Sequence, residues 1–176
     1  GTNFAQAFNI QYLDRNNELQ YAHTTSWGVS TRLIGSLIMV HGDDRGLALP
    51  PKVAPTQVIV IPIGPAAKRD EVVMRARELM DALKEKGIRV RIDERDDQSP
   101  GWKFNEYEMR GVPIRLELGP RDIEKGQAVL VSRVDGEKRF VAQDRLAEET
   151  ATFLDEIQQK MFDNAKRFMD EHFTSV

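Results

Sequence analysis

QVIVIPIGPAAKRDEVVMRARELMDALKEKGIRVRID, residues Gln57 to Asp93, decides the fold class. Its opening run, Gln57 to Ile63, is apolar and β-branched on consecutive positions, as a buried strand requires. The period then changes. From Lys68 to Lys86, Val72, Val73, Ala76, Leu79, Met80 and Leu83 fall on one face of a 3.6-residue helix. Gly87 ends that helix as a C-cap, and Ile88 to Asp93 (IRVRID) forms a second strand.

The alternation continues downstream. A short helix is predicted over about Trp102 to Arg110, and a third strand over Val112 to Leu118. QAVLVSR and KRFVAQ make a hairpin around the Asp135-Gly136 turn, and Leu146 to Phe173 is a long amphipathic helix. Strands alternating with helices predict an α/β fold: a mixed five-stranded sheet, mostly parallel at its centre and flanked by helices.

Upstream the pattern differs. Phe8 to Leu13 and Leu19 to Ser26 alternate in polarity around the turn-forming DRNNE, which predicts an antiparallel β-hairpin. A helix from about Ser30 to Val40 follows, stopped by Gly42. GDDRGLALPPKVAP then places three prolines and two glycines in fourteen residues, the composition of a loop or linker. The expected division is residues 1–50 as an antiparallel piece, 51–56 as linker, 57–150 as the α/β domain and 151–176 as a C-terminal helix.

Bulk properties exclude more than they assign. The 176 residues are 40% hydrophobic and 30% charged, an ordinary globular composition. The most apolar segment, Leu33 to Val40, is far short of the roughly 18 residues of a membrane span. No membrane partner is expected, and the N-terminus has no secretory-signal pattern. A chain without cysteine has no disulfide and no thiolate metal site, which suits the cytoplasm. With a net charge of −3, any nucleic-acid contact has to use a local basic patch.

Two stretches carry chemistry. In TTSWGVSTRLIGSLIMVHGDDRGLALPP, Thr24 to Pro51, Arg32 stands at the head of an apolar helix. Such a cation either meets an anion or lies on the polar stripe of the helix, and the small residues Gly28, Ser30 and Thr31 permit close approach of a ligand. His41-Gly42-Asp43-Asp44 has the residue types of a metal site, but reads equally as a helix C-cap with Gly42 left-handed and the aspartates closing a turn. PGWKFNEYEMRGVPIR, Pro100 to Arg115, interleaves Trp102, Phe104 and Tyr107 with Lys103, Arg110 and Arg115. Rings beside cations suit single-stranded RNA, with bases stacking and phosphates paired, while carboxylates accept from the N1 and N2 donors of guanine. The same pattern also describes a core-packing helix with a solvated face. No GxGxxG and no Ser-His-Asp constellation is present.

Taken in order, these stretches resemble the prolyl-tRNA synthetases, in the form found in archaea, eukaryotes and some bacteria. WG-x-x-x-R followed by HGDDRGLALPP is similar to the third motif of class II aminoacyl-tRNA synthetases running into an anticodon-binding domain. DERDDQSPGWKFNEYEMRGVPIRLELGPRDIEKGQAVLVSR is similar to that domain itself. The resemblance implies that Arg32 is catalytic and binds ATP with Ser30, and that Trp27 and Gly28, on the preceding strand, floor the amino-acid pocket. It implies anticodon contacts from Phe104 by stacking, Glu108 as guanine acceptor, Arg115 to phosphate or base, and Lys138. HGDD becomes a hinge, with no metal.

The intact enzyme so implied is a cytoplasmic homodimer. It activates proline with ATP and Mg2+ and transfers it to tRNA(Pro). The first two class II motifs are not among these residues, so the chain reads as a fragment of that enzyme, inactive in aminoacylation by itself. Two other readings use the same residues: a non-catalytic RNA-binding module, and a relative charging threonine, glycine or histidine. Retention of Arg32 with Trp27-Gly28 disfavours the first, and the HGDDRGL and GWKFNEYE strings disfavour the second.

Overall fold

A computed structural model describes residues 1–174. The chain divides into two units, Gly1–Leu33 and the residues from Ile34 onward.

In the first unit a short helix, α1 (Asn3–Ala7), precedes the strands β1 (Gln11–Leu13) and β2 (Leu19–Tyr21). The strands pair antiparallel with Leu13 opposite Leu19. The hairpin is therefore present but short. The strand expected to reach Ser26 stops at Tyr21, because β1 offers three residues of ladder and a two-stranded ribbon has little stability beyond its pairing. Past Tyr21 the backbone bonds locally instead, Ala22 to the Ile10 carbonyl and Thr24 to the Gly1 carbonyl. The helix α2 (Arg32–His41) begins at the edge of this unit.

The second unit contains β3 (Val58–Pro62), α3 (Arg69–Glu85), β4 (Val90–Ile92), α4 (Pro100–Met109), β5 (Ile114–Leu118), α5 (Pro120–Glu124), β6 (Gln127–Ser132), β7 (Lys138–Ala142) and α6 (Leu146–His172). The five strands form one sheet in the order β4-β3-β5-β6-β7. β3 is parallel to β4 and β5, whereas β5-β6 and β6-β7 are antiparallel. The sheet is mixed as expected, but its parallel pairs lie at the β4 end and not at the centre, because β5, β6 and β7 follow one another by short antiparallel connections.

The helix α3 lies on the sheet through Val72, Ala76, Leu79 and Leu83, and Asp70 and Glu71 in its first turn complement the helix dipole. It ends where the sequence demands. Gly87 takes φ +78°, its N–H reaches the Lys84 carbonyl at 2.8 Å, and that of Ile88 reaches the Leu83 carbonyl at 3.1 Å. Val58, Val60, Ile114, Leu116 and Leu130 meet α3 and α6 in the main core, with Leu146, Phe153 and Ile157 contributed by α6. On the opposite face Ile59, Ile61 and Val112 form a smaller core covered by Phe104 and Tyr107 of α4.

The proline-rich stretch is laid onto this unit. Leu47 and Leu49 donate to the carbonyls of Met109 and Gly111 at 2.9 and 3.1 Å. The Arg89 guanidinium donates to the carbonyls of Ala54, Pro51 and Lys52. At the HGDD turn the left-handed glycine is Gly46 (φ +117°), not Gly42. Asp43 and Gly46 exchange backbone bonds of 3.0 Å in both directions, so the left-handed glycine lies four residues later than the sequence indicated. A Cβ on Gly46 would stand 2.6 Å from the Met109 oxygen, which is why the chain passes so close to the end of α4 there.

Two short helices, α1 and α5, have no counterpart in the sequence reading. Neither has the length for a visible apolar period, and α5 owes its start to Pro120 and to the Asp122 carboxylate accepting from the Gly119 N–H at 3.0 Å. Among the described residues no helix is long and apolar enough to cross a membrane.

Candidate functional site

α4 is built to carry its side chains onto the minor-core face of the sheet. The Ser99 hydroxyl caps it by accepting from the Trp102 N–H at 3.3 Å, and Pro100 fills the first position. The helix therefore starts two residues before the expected Trp102. Phe104, Tyr107 and Glu108, spaced at i, i+3 and i+4, share one side of it. The two rings pack on Ile59, Ile61 and Val112, and Glu108 stands half-buried at the last turn.

Strand register supplies the rest. Ile59 lies opposite Arg115, Arg115 opposite Val131, and Val131 opposite Lys138. Residues in one such row point to the same face of a sheet, so Arg115 and Lys138 project beside α4. A cavity of about 200 Å³ results, lined by Arg45, Tyr107, Glu108, Arg115, Arg133 and Lys138 over an apolar floor of Ile59, Val112 and Val131.

Each charge in this cavity has a defined setting. The Arg115 guanidinium lies 4.1 Å from the centroid of the Phe104 ring, and its Nε donates to Glu117 at 2.9 Å. Half-buried Phe104 thus has an arginine over its ring and does not line the cavity, so a flat ligand entering there would meet the guanidinium plane of Arg115. Glu108 pairs with Arg45 at 3.0 Å. Arg133, buried, donates twice to Asp43 (2.9 and 2.6 Å) and once to the Glu108 carbonyl (2.8 Å). The hydrogen bonds from Arg133 hold the Asp43 carboxyl far below the usual carboxylate range, against an opposing effect of burial. Lys138 is exposed and has no ion-pair partner among the described residues.

Beneath α4 runs a second ionic network. Asp93 is 3% exposed and pairs with Arg95 (2.6 Å) and Lys103 (3.4 Å), while Arg95 also reaches Glu106 (2.5 Å). Burial alone would raise the Asp93 carboxyl, but the Arg95 hydrogen bonds and the charges of Lys103 and Arg95 prevail and bring it to about 2. This corrects one expectation. Lys103 does not present itself to phosphate: its ammonium is buried and donates to the Asp93 and Arg95 carbonyls at 3.1 and 2.5 Å. A lysine beside exposed aromatics cannot be told from a buried one by sequence spacing alone. Arg110 pairs with Glu106 at 2.5 Å, and Arg95 sits 5.0 Å over the half-exposed ring of Trp102.

The residues expected to hold ATP and the amino acid lie elsewhere in the chain. Trp27 is 95% exposed, Gly28 has open space where a side chain would begin, and neither is in a strand. The Ser30 carbonyl accepts from the Leu33 N–H at 3.1 Å, and Arg32 is exposed at the first position of α2. A cavity in this unit is lined by Gly1, Asn3, Phe4, Phe8 and Thr24 to Ser26, and by none of these four residues. Among the described residues no group of three or more histidine or acidic side chains could hold a metal ion. Glu108, Arg115 and Lys138 are thus brought to one cavity, Phe104 lies outside its lining beneath Arg115, and Arg45 and Arg133 join the cavity without having been singled out. For Arg45 the only sequence signal was a pair of acids ahead of an arginine in a stretch that otherwise reads as linker, and Arg133, at the end of QAVLVSR, had none.

A family model described as an anticodon binding domain matches residues 57–152. The chain is 59% identical over 172 residues, 98% of its length, to a proline–tRNA ligase of Symbiobacterium thermophilum, of which it covers 35%. It is 53% identical over 172 residues to a proline–tRNA ligase of Natranaerobius thermophilus, covering 98% of the chain and 35% of that protein. To proline–tRNA ligase 2 of Bacillus anthracis it is 54% identical over 176 residues, 100% of the chain and 34% of the relative. The chain therefore spans about a third of the length of the curated relatives it matches.

Proposed function

We propose, because this chain belongs to the anticodon binding domain family, that it reads the anticodon of a proline tRNA as part of a proline–tRNA ligase. The observation that carries this reading is the convergence of Glu108 from α4, Arg115 from β5 and Lys138 from β7 on one cavity. Guanine presents two adjacent donors, N1–H and N2–H, to which the two oxygens of the Glu108 side chain are complementary. Arg115, lying over the Phe104 ring, offers its guanidinium plane to a base, and exposed Lys138 a charge to the backbone phosphates. Proline anticodons share two guanines, which is the specificity such a pocket would supply.

The activity itself, ATP-dependent activation of proline and its transfer to tRNA(Pro), is proposed for the whole enzyme, a homodimer in this reading. Arg32 and Ser30 would face the ATP phosphates there, the guanidinium neutralising charge as the adenylate forms, with Trp27 and Gly28 flooring the proline pocket. Mg2+ would enter with ATP, and no step by these residues depends on it. The chain alone is expected to give no proline-dependent ATP–pyrophosphate exchange.

The test is binding of the chain to a proline anticodon stem-loop and to one with both guanines replaced, at fixed salt. Tighter binding of the guanine loop by several-fold, erased by Glu108→Ala, supports the reading. Equal, weak and steeply salt-dependent binding of both loops leaves only charge attraction and refutes it.

A further inference from the structure

Arg45 belongs to a stretch with the composition of a linker, yet its Nη1 lies 3.0 Å from Oε1 of Glu108. We infer that Arg45 determines specificity in this pocket: it holds the Glu108 carboxylate in the orientation that accepts the paired donors of guanine. The inference rests on the anticodon reading above and adds a residue and a role to it.

Three features carry it. First, Arg45 is itself fixed. Its backbone N–H donates to Asp43 Oδ1 at 2.9 Å, and its Nη2 to Asp43 Oδ2 at 3.2 Å and to the Arg133 carbonyl at 3.4 Å. Asp43 in turn is gripped through both oxygens by buried Arg133. A side chain held from behind in this way orients its neighbour and is not a loose cover waiting to be displaced. Second, the nearest approach of Arg45 to Glu108 is at Oε1. An ionised carboxylate has about four acceptor positions, so a cation beside Oε1 leaves acceptor capacity for a base edge. Third, the same arginine network holds both ends of the glutamate, because Arg133 Nε donates to the Glu108 backbone carbonyl at 2.8 Å. Without Arg45 the carboxylate, on an otherwise flexible side chain, would have to be ordered by the base itself, at a cost in rotamer entropy.

The experiment measures binding of the 176-residue chain to three stem-loops at fixed salt: one with both anticodon guanines, one with inosine in their place, and one with adenine. Inosine keeps N1–H and loses the N2 amino group. The wild-type chain is expected to prefer guanine over inosine by roughly tenfold or more, the discrimination of a good bidentate contact. Arg45→Gln should reduce that preference to about twofold or less while weakening binding of the inosine loop little. Arg45→Lys, which restores a cation beside Oε1, should recover most of it. The Asp43–Arg133 pair survives in these variants, so the melting temperature should move by no more than about 3 °C, the effect of losing an exposed pair. A guanine preference undiminished in Arg45→Gln would overturn the inference and leave the anticodon reading standing. Tighter guanine binding by Arg45→Gln would overturn it too, showing that Arg45 competes with the base. Absence of any preference in the wild-type chain would overturn both.

Discussion

Removal of either member of the Asp43–Arg133 pair tests whether the HGDDRGL turn is clamped to the α/β unit as tightly as its geometry indicates. Arg133 has a side chain 2% exposed and spends three donors on Asp43 and on the Glu108 carbonyl, whereas the Asp43 side chain is 39% exposed. The two deletions are therefore unequal. Asp43→Ala strands a guanidinium away from water and should cost about 3 kcal/mol, the low end for breaking a buried pair. Arg133→Met keeps most of the side-chain volume and leaves a carboxylate that water can reach, so about 2 kcal/mol is expected, nearer the value of a charged hydrogen bond. The double variant should cost about 3 kcal/mol, well under the sum, which gives a coupling of about 2 kcal/mol. Urea unfolding at pH 7 followed by circular dichroism measures all three, and Asp43→Ala alone should lower the melting temperature by about 6–12 °C. Costs that add to within about 0.5 kcal/mol would refute the clamp, since side chains joined by two short bonds cannot behave independently.

Other expectations follow from single sites. Gly111 (φ +73°) admits no Cβ, which would stand 2.7 Å from Leu47, so Gly111→Ala should cost more than about 2 kcal/mol and speed hydrogen exchange at the Leu47 and Leu49 amides; unchanged protection there would count against the packing described. Leu83, fully buried between α3 and the sheet, should cost about 2–5 kcal/mol as Leu83→Ala, with a loss under 1 kcal/mol showing that the core can collapse around it. Acid sensitivity is fixed in sign. Asp93 and Asp135 both sit at about 2 in the fold, below the ordinary 3.8, burial being outweighed by Arg95 and Lys103 at the first and by Lys160 and Ser132 at the second. Their contribution is thus complete above the ordinary value and lost as pH falls through 4 towards 2, and Asp135→Asn should flatten part of that slope; an identical slope in the variant would remove Asp135 as a source.

How much of this was legible in the sequence depends on whether the cause is local. The strand-helix-strand of β3, α3 and β4 is written in a change of period and one glycine, so the α/β class and the five strands could be read directly. The N-terminal hairpin was readable in kind but not in length, because strand length depends on a partner, and β1 supplies three residues. α1 and α5 are shorter than any apolar period and were invisible for that reason. Among the candidate site residues, Phe104 and Glu108 stand one helical turn apart on α4, a relation that sequence spacing encodes. That Arg115 and Lys138 share their face depends on a register across β5, β6 and β7 that no local pattern specifies.

Burial drew the remaining line. Lys103 and Arg110 look alike in the sequence, yet one is enclosed by Asp93 and two carbonyls while the other stays at the surface with Glu106. Arg45 and Arg133 are 88 residues apart and meet only because the proline-rich stretch folds back along the end of α4. The sequence by itself determined the elements and the fold class, through short-range periodicity and turn chemistry. Tertiary structure alone decided which charges are buried, which are paired and which face the cavity, because those depend on contacts between residues that are distant along the chain.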